Sequence, residues 1–154
     1  MRKMHLSFKP EVYEKIKTGK KMFEHRRNFP DEPIVAYMYV SAPVKAITGI
    51  VYLGKRHLLS DWKEEFKNDR DVVARIEKYQ ESYRYAMEID EFLETTEISL
   101  DKLRRDVPGF VAPQMYTYLD GTQLLRYLED TLETTGNRIV NKFDGNISYC
   151  ICKH

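Results

Sequence analysis

Residues 35 to 41, Val-Ala-Tyr-Met-Tyr-Val-Ser, constrain the fold more than any other stretch of this chain. As a strand, the segment places Val35, Tyr37 and Tyr39 on one side and Ala36, Met38 and Val40 on the other, because successive side chains point to opposite faces. Both sides are apolar, so the strand must be covered on both and belongs in the middle of a sheet. Pro33 and Pro43 bound it, since proline has no N–H to give to a ladder. A chain of 154 residues can build such a sheet with its covering layers. One domain over 1–154 is therefore expected.

The remaining elements follow from local signals. Pro10 suits a helix's first turn, Val12 and Ile16 share a face, and Gly19 supplies a stop, predicting a helix over 10–18. Met22 to Arg27 reads as a polar strand, and Ala46 to Leu53 as another, with Gly49 marking a bulge or a close backbone approach. Ser60 is the expected cap of a helix carrying Trp62 and Phe66, and a second helix starts near Asp71 with Val72, Val73, Ile76 and Tyr79 on its inner face. Alternation from Tyr83 to Phe92 favours a strand. Ser99 to Asp106 reads as a helical turn, 110–119 as an extended segment, and Leu124, Leu125, Leu128 and Leu132 as a helix ending at Gly136. Asp144-Gly145 between Arg138–Phe143 and Asn146–Cys152 predicts a closing β-hairpin.

Composition bounds the setting. Hydrophobic residues make up 42% and charged residues 32%, and no apolar run approaches the ~20 residues of a membrane span. The first ten residues lack a signal-peptide core, and the two cysteines give no disulfide framework, so a cytoplasmic protein with reduced thiols and no membrane partner is expected. Cys150-x-Cys152 with His154 lacks the spacing of a tetrahedral metal cage, and no phosphate-loop or dinucleotide fingerprint is present. Neither a metal nor a cofactor is expected. Net charge is +1, which excludes coating nucleic acid by charge alone, but residues 1–27 carry nine Lys or Arg against three Glu, while 60–101 carry thirteen Asp or Glu against six Lys or Arg. That asymmetry draws an anionic ligand to one end.

The chemistry concentrates in Lys20-Lys21-Met22-Phe23-Glu24-His25-Arg26-Arg27, entered through Gly19. Four Lys or Arg, a Glu and a His in eight positions do not make a core strand. A charged, protected edge strand is one reading; a ligand-facing strand is the other. Glu24 and Arg26 share a face in a regular pleat, whereas Lys21 has the opposite parity and joins them only if the pleat is not yet established after Gly19. Arg26 offers a planar fork to phosphate, carboxylate or a base edge, and Glu24 can accept from an exocyclic amine.

Gly19-x-Lys21-x-x-Glu24-x-Arg26 after a helix resembles the signature of ASCH domains, relatives of the PUA RNA-binding fold. Leu6-Ser7-Phe8-Lys9-Pro10, Tyr37-x-Tyr39 with Ser41-x-Pro43, Ile47-x-Gly49, Tyr85-Ala86-Met87-Glu88-Ile89 and Pro113-Gln114-Met115-Tyr116 resemble further family segments in order. The resemblance spans about 4–119. It leaves 60–80 as an insertion and 120–154 as a helix plus β-hairpin extension.

The resemblance implies an α+β fold, a PUA-like β-barrel with peripheral helices and a cleft beside the first helix. It implies binding of RNA or a nucleobase or nucleoside, with a regulatory role in transcription or translation. Lys9, Lys21, Glu24, Arg26, Arg27, Ser41, Gln114 and Tyr116 are the ligand-binding candidates. One family branch is an amidohydrolase that deacetylates N4-acetylcytidine; in that reading Lys21 and Glu24 are catalytic, although that branch has threonine where this chain has Glu24. Glu64 and Glu65 are the candidates for its further glutamate. A third reading makes the acidic helices at 60–80 a protein-interaction surface. Oligomeric state stays open.

Overall fold

A computed structural model describes residues 1–143, 145 and 147–152. Its centre is a mixed sheet of seven strands, ordered second, fifth, fourth, third, first, sixth by their place in the chain, with the seventh also pairing with the fifth. The strands are β1 (Arg2–Phe8), β2 (Phe23–Arg26), β3 (Ile34–Val40), β4 (Ala46–Leu58), β5 (Tyr85–Ser99), β6 (Tyr116–Tyr118) and β7 (Thr134–Val140). β1 and β3 run parallel, and the other pairs are antiparallel. The sheet curls into a half-barrel, giving the expected α+β class. The helices around it are α1 (Pro10–Lys17), α2 (Leu59–Glu65), α3 (Arg70–Gln80), α4 (Leu100–Asp106), α5 (Gln123–Thr131) and α6 (Ile147–Cys152).

β3 is central and buried along its whole length. Ile34, Ala36, Met38 and Val40 join Met4, Leu6, Ile16 and Phe92 in the core beneath α1. Tyr37 and Tyr39 face the other way, against Leu103, Leu125 and Leu128 of α4 and α5. Each fully buried aliphatic or aromatic side chain contributes about 1.5–3 kcal/mol, so the two-faced burial of β3 ties the two cores into one sheet. The curl comes from β4 and β5, which are 13 and 15 residues long and slip register between Ile47/Gly49, Tyr52/Leu53 and Leu53/Arg56. A slip bends and twists the strand that carries it. Gly49 stands at one slip, where an added Cβ would meet Phe92 Cε1 at 2.9 Å and the Leu93 carbonyl oxygen at 3.2 Å. Bulge and close approach occur there together.

The third core is where the chain departs most from expectation. Trp62, Val72 and Ile76 of the two helices pack with Met22, Phe23, Cys150 and Ile151. The acidic helices thus spend their apolar faces inside the molecule. Ile147–Cys152 is a helix rather than the second arm of a hairpin. Its apolar residues Ile147, Cys150 and Ile151 are spaced i, i+3, i+4, the helical period, and packing against α3 selects that period. Asp144 and Asn146 of the expected turn lie outside the described residues.

Two boundaries also shift. α5 ends at Thr131, capped by Leu132, and Gly136 (φ +95°) lies within β7 instead of stopping the helix. α2 begins at Leu59, so Ser60 lies inside it and caps nothing. α3 starts where expected, at Arg70, and is capped by Asp69, whose side chain accepts from the Val72 N–H at 3.3 Å. No described helix is long and apolar enough to cross a membrane.

Candidate functional site

β2 lies on the edge of the sheet, paired with β5 in the register Glu24↔Met87 and Arg26↔Tyr85. Its pleat sets Glu24 and Arg26 on one side, as their spacing predicts. An Arg26 Nη2 donates to Glu24 Oε2 at 3.0 Å and to the Ser7 carbonyl oxygen at 2.9 Å. The second bond reaches β1, which is not a neighbour of β2 in the sheet, so the guanidinium bridges two strands that the curl brings together. Glu24 Oε1 accepts from the His25 N–H at 3.1 Å. The carboxylate is almost wholly enclosed, with 6% of its side chain exposed, against 20% for Arg26. Two lone-pair positions on Glu24 are thereby filled, and the remainder can still accept.

Lys21 follows the opposite parity and meets His25: Nζ lies 2.9 Å from Nδ1. With Lys21 as ammonium, it donates to Nδ1, which puts the proton of a neutral ring on Nε2. Lys21 is buried, and that burial lowers its pKa from the ordinary 10.5 to about 8. The Glu24 charge pulls the other way, and Lys15, Arg26 and Arg75 add to the lowering. Glu24 and Lys21 therefore interact through charge, while the direct contact of Lys21 is with His25.

α3 covers this group. The His25 ring stacks on Tyr79 with centroids 3.8 Å apart and planes 12° apart, and Tyr83 lies tilted at 5.9 Å. Lys21 Nζ is 5.6 Å from the Tyr79 ring centroid, within cation–π reach. Burial raises the Tyr79 pKa, and a hydrogen bond with Arg75 opposes the rise. Two small cavities open onto the cluster. One, about 150 Å³, is bordered by Ser7, Lys9, Glu24 and Arg26; the other, about 200 Å³, by Lys15, Lys21 and Tyr79. Both share Val12, Glu24, His25 and Tyr83. Each is below the ~300 Å³ at which drug-sized ligand pockets begin, a scale that suits a single base or an anionic group.

The structure gathers Lys9, Lys21, Glu24 and Arg26 around these cavities. Arg27 is exposed just beyond the end of β2. Ser41 hydrogen-bonds the Phe8 carbonyl through its N–H and lines neither cavity. Gln114 is exposed on the loop before β6, and Tyr116 packs on Phe29 and Tyr118 at 5.8 and 5.7 Å. Neither borders the cluster. Glu64 and Glu65 sit on α2; Glu65 borders a different cleft, beside His57 and Glu88. Sequence reasoning did not single out His25, Tyr79 or Tyr83 as site residues. The parity shared by Lys21 and His25 was the available signal for the first. Tyr79 reads as ordinary helix packing until α3 is seen lying across β2. Cys150 and Cys152 lie on α6 and form no disulfide, and no group of three or more potential metal ligands occurs among the described residues.

No family model matches the sequence, nor does any curated protein. The architecture nevertheless has counterparts among solved structures, and it is the ASCH fold. The chain is similar to the ASCH protein of Zymomonas mobilis at 22% identity and a TM-score of 0.64, over 86% of this chain and 96% of that one. Point variants of that protein give the same TM-score at 22% and 21% identity, covering 87% and 86% of this chain and 97% and 100% of theirs.

Proposed function

We propose that this chain is a single-domain binding module for a nucleobase-bearing ligand, single-stranded RNA or a nucleotide, held between α1, β2 and α3. The observation that carries the reading is the site's composition: an enclosed Glu24–Arg26 pair and a Lys21–His25 pair on the floor, with aromatic rings as the wall. Tyr83 is 38% exposed and leaves a ring face for a base to stack on. Glu24 selects an exocyclic amine with its remaining lone pairs. Lys9 and Lys15, at the two mouths, meet phosphate, and the exposed Arg27 extends the positive field. The reduced state of Cys150 and Cys152 suits a cytoplasmic setting, in which a module of this kind serves regulation of transcription or translation.

The test is the affinity for a short fluorescent single-stranded RNA as salt is raised. Affinity is expected to fall with salt, and Tyr83→Ala to weaken binding about tenfold, in line with one lost base stack. Salt-independent binding, or a Tyr83→Ala variant equal to wild type, contradicts the reading.

One observation supports a second reading. With a pKa of about 8, Lys21 is neutral in about a tenth of molecules at pH 7, far more than an ordinary lysine, which suits a general base. In this reading the chain is an amidohydrolase of an acylated nucleoside such as N4-acetylcytidine. Lys21 is the base, and Glu24, already bonded through both oxygens, tunes its charge. Release of cytidine from N4-acetylcytidine, abolished by Lys21→Met, is the expected result. No turnover by the wild type rejects it.

A further inference from the structure

The β4–β5 ladder parts beneath α1. Ile47 pairs with Ile98 and the next pair is Gly49 with Glu94, so Thr48 on one strand and Thr95, Thr96 and Glu97 on the other drop out of register. The gap opens a cleft of about 380 Å³, walled on its far side by Pro10, Tyr13, Glu14 and Lys17 of α1. The Lys21 cavities meet α1 along Val12 and share no lining residue with this cleft. The two sites are therefore separate and lie on different faces of one helix.

Three features of the cleft point to a ligand. Thr48 is only 4% exposed, lines the cleft, and its hydroxyl has no hydrogen-bond partner among the described residues. Its backbone carbonyl is already satisfied, accepting from the Tyr13 hydroxyl at 3.1 Å. A buried hydroxyl left alone is unfavourable, so its retention calls for a partner. The charge is the second feature. Glu14, Glu94 and Glu97 line the cleft against Lys17, and Lys17 is already engaged with Glu94, which also accepts from Thr135 Oγ1 at 2.8 Å. An acidic surplus remains at the rim, opposite in sign to the Lys21 site. The third is an apolar wall formed by Val40 and Val44.

We propose that this cleft is a second ligand site, for a small aliphatic cation that carries a hydroxyl. Its ammonium lies against Glu14 and Glu97, its carbon chain along Val40 and Val44, and its hydroxyl exchanges a hydrogen bond with Thr48.

The test is an NMR titration of the ¹⁵N-labelled full chain with 4-amino-1-butanol, with n-butylamine and 1-butanol as comparison probes. Amide shifts are expected at Thr48, Thr95, Thr96 and Glu97, and not at His25 or Tyr83. Thr48→Val, which keeps the volume and removes the hydroxyl, is expected to weaken aminobutanol about tenfold while leaving n-butylamine within about twofold. The same variant is expected to melt at a higher temperature, because an unpaired buried hydroxyl has gone. Glu97→Gln, on the exposed rim, weakens both amines. The proposal is overturned by shifts confined to the Lys21 site, by no shift at about 10 mM probe, or by Thr48→Val binding aminobutanol as wild type does, as it would were the hydroxyl served by water alone. A lower melting temperature for Thr48→Val overturns it as well, since the hydroxyl is then already satisfied inside the protein.

Discussion

Lys21 shares an enclosed floor with Glu24, Arg26 and His25, and removal from water, more than any single neighbour, brings its pKa down to about 8. The folded state therefore holds the neutral amine more readily than the unfolded chain does. Between pH 8 and 10.5 the unfolded chain binds the extra proton, so this group's contribution to stability rises with pH across that window. The full effect is on the order of 3 kcal/mol. Burial also raises the pKa values of Tyr13 and Tyr79, which acts in the opposite direction above pH 10, so wild type must be compared with Lys21→Met. Chemical denaturation at pH 7 and pH 10 is expected to show wild type gaining on the variant by up to about 3 kcal/mol. Parallel pH dependence in the two proteins contradicts this account of Lys21. At this scale the sequence revealed the pairing of Glu24 with Arg26, because strand parity determines it. It did not reveal that His25 would take Lys21, because that depends on how α3 closes over the strand.

At the scale of elements, α3 is the part that encloses the edge strand β2 and its charged residues. Its first turn rests on the Asp69 cap, and its last turn delivers Tyr79 to the His25 ring. Asp69→Ala is expected to cost about 1 kcal/mol in stability, measured by denaturant midpoint. An unchanged midpoint means that tertiary packing alone holds the helix start. Gly49 has a different task. An alanine methyl there meets Phe92 and the Leu93 carbonyl, so Gly49→Ala is expected to destabilise by about 1–3 kcal/mol. A variant as stable as wild type shows that the β4–β5 bulge can shift to make room. Gly49 was legible as a special position because glycine inside a strand has few other uses. α6 was not legible: Ile147-Ser-Tyr-Cys-Ile-Cys fits a two-residue period as well as a helical one, and only the face offered by α3 decides between them.

For the whole molecule, the central strand with two apolar faces and the ordered ASCH-like segments were enough to indicate a curled sheet with a cleft beside α1. The two long strands that make the curl run beyond the segments that alternation marks, because their slips of register interrupt it. The charge asymmetry also gains a location. Lys9, Lys15, Lys21 and Arg26 of the basic N-terminal stretch line the Lys21 cavities, whereas Glu14, Glu94 and Glu97 line the cleft on the other side of α1 beside Lys17. The most direct test of the central claim is a chemical-shift map of the ¹⁵N-labelled chain with a short single-stranded RNA. The largest shifts are expected at Lys21, His25, Tyr79 and Tyr83, diminishing as salt is added. Shifts centred on any other surface, or none at saturating RNA, would contradict it.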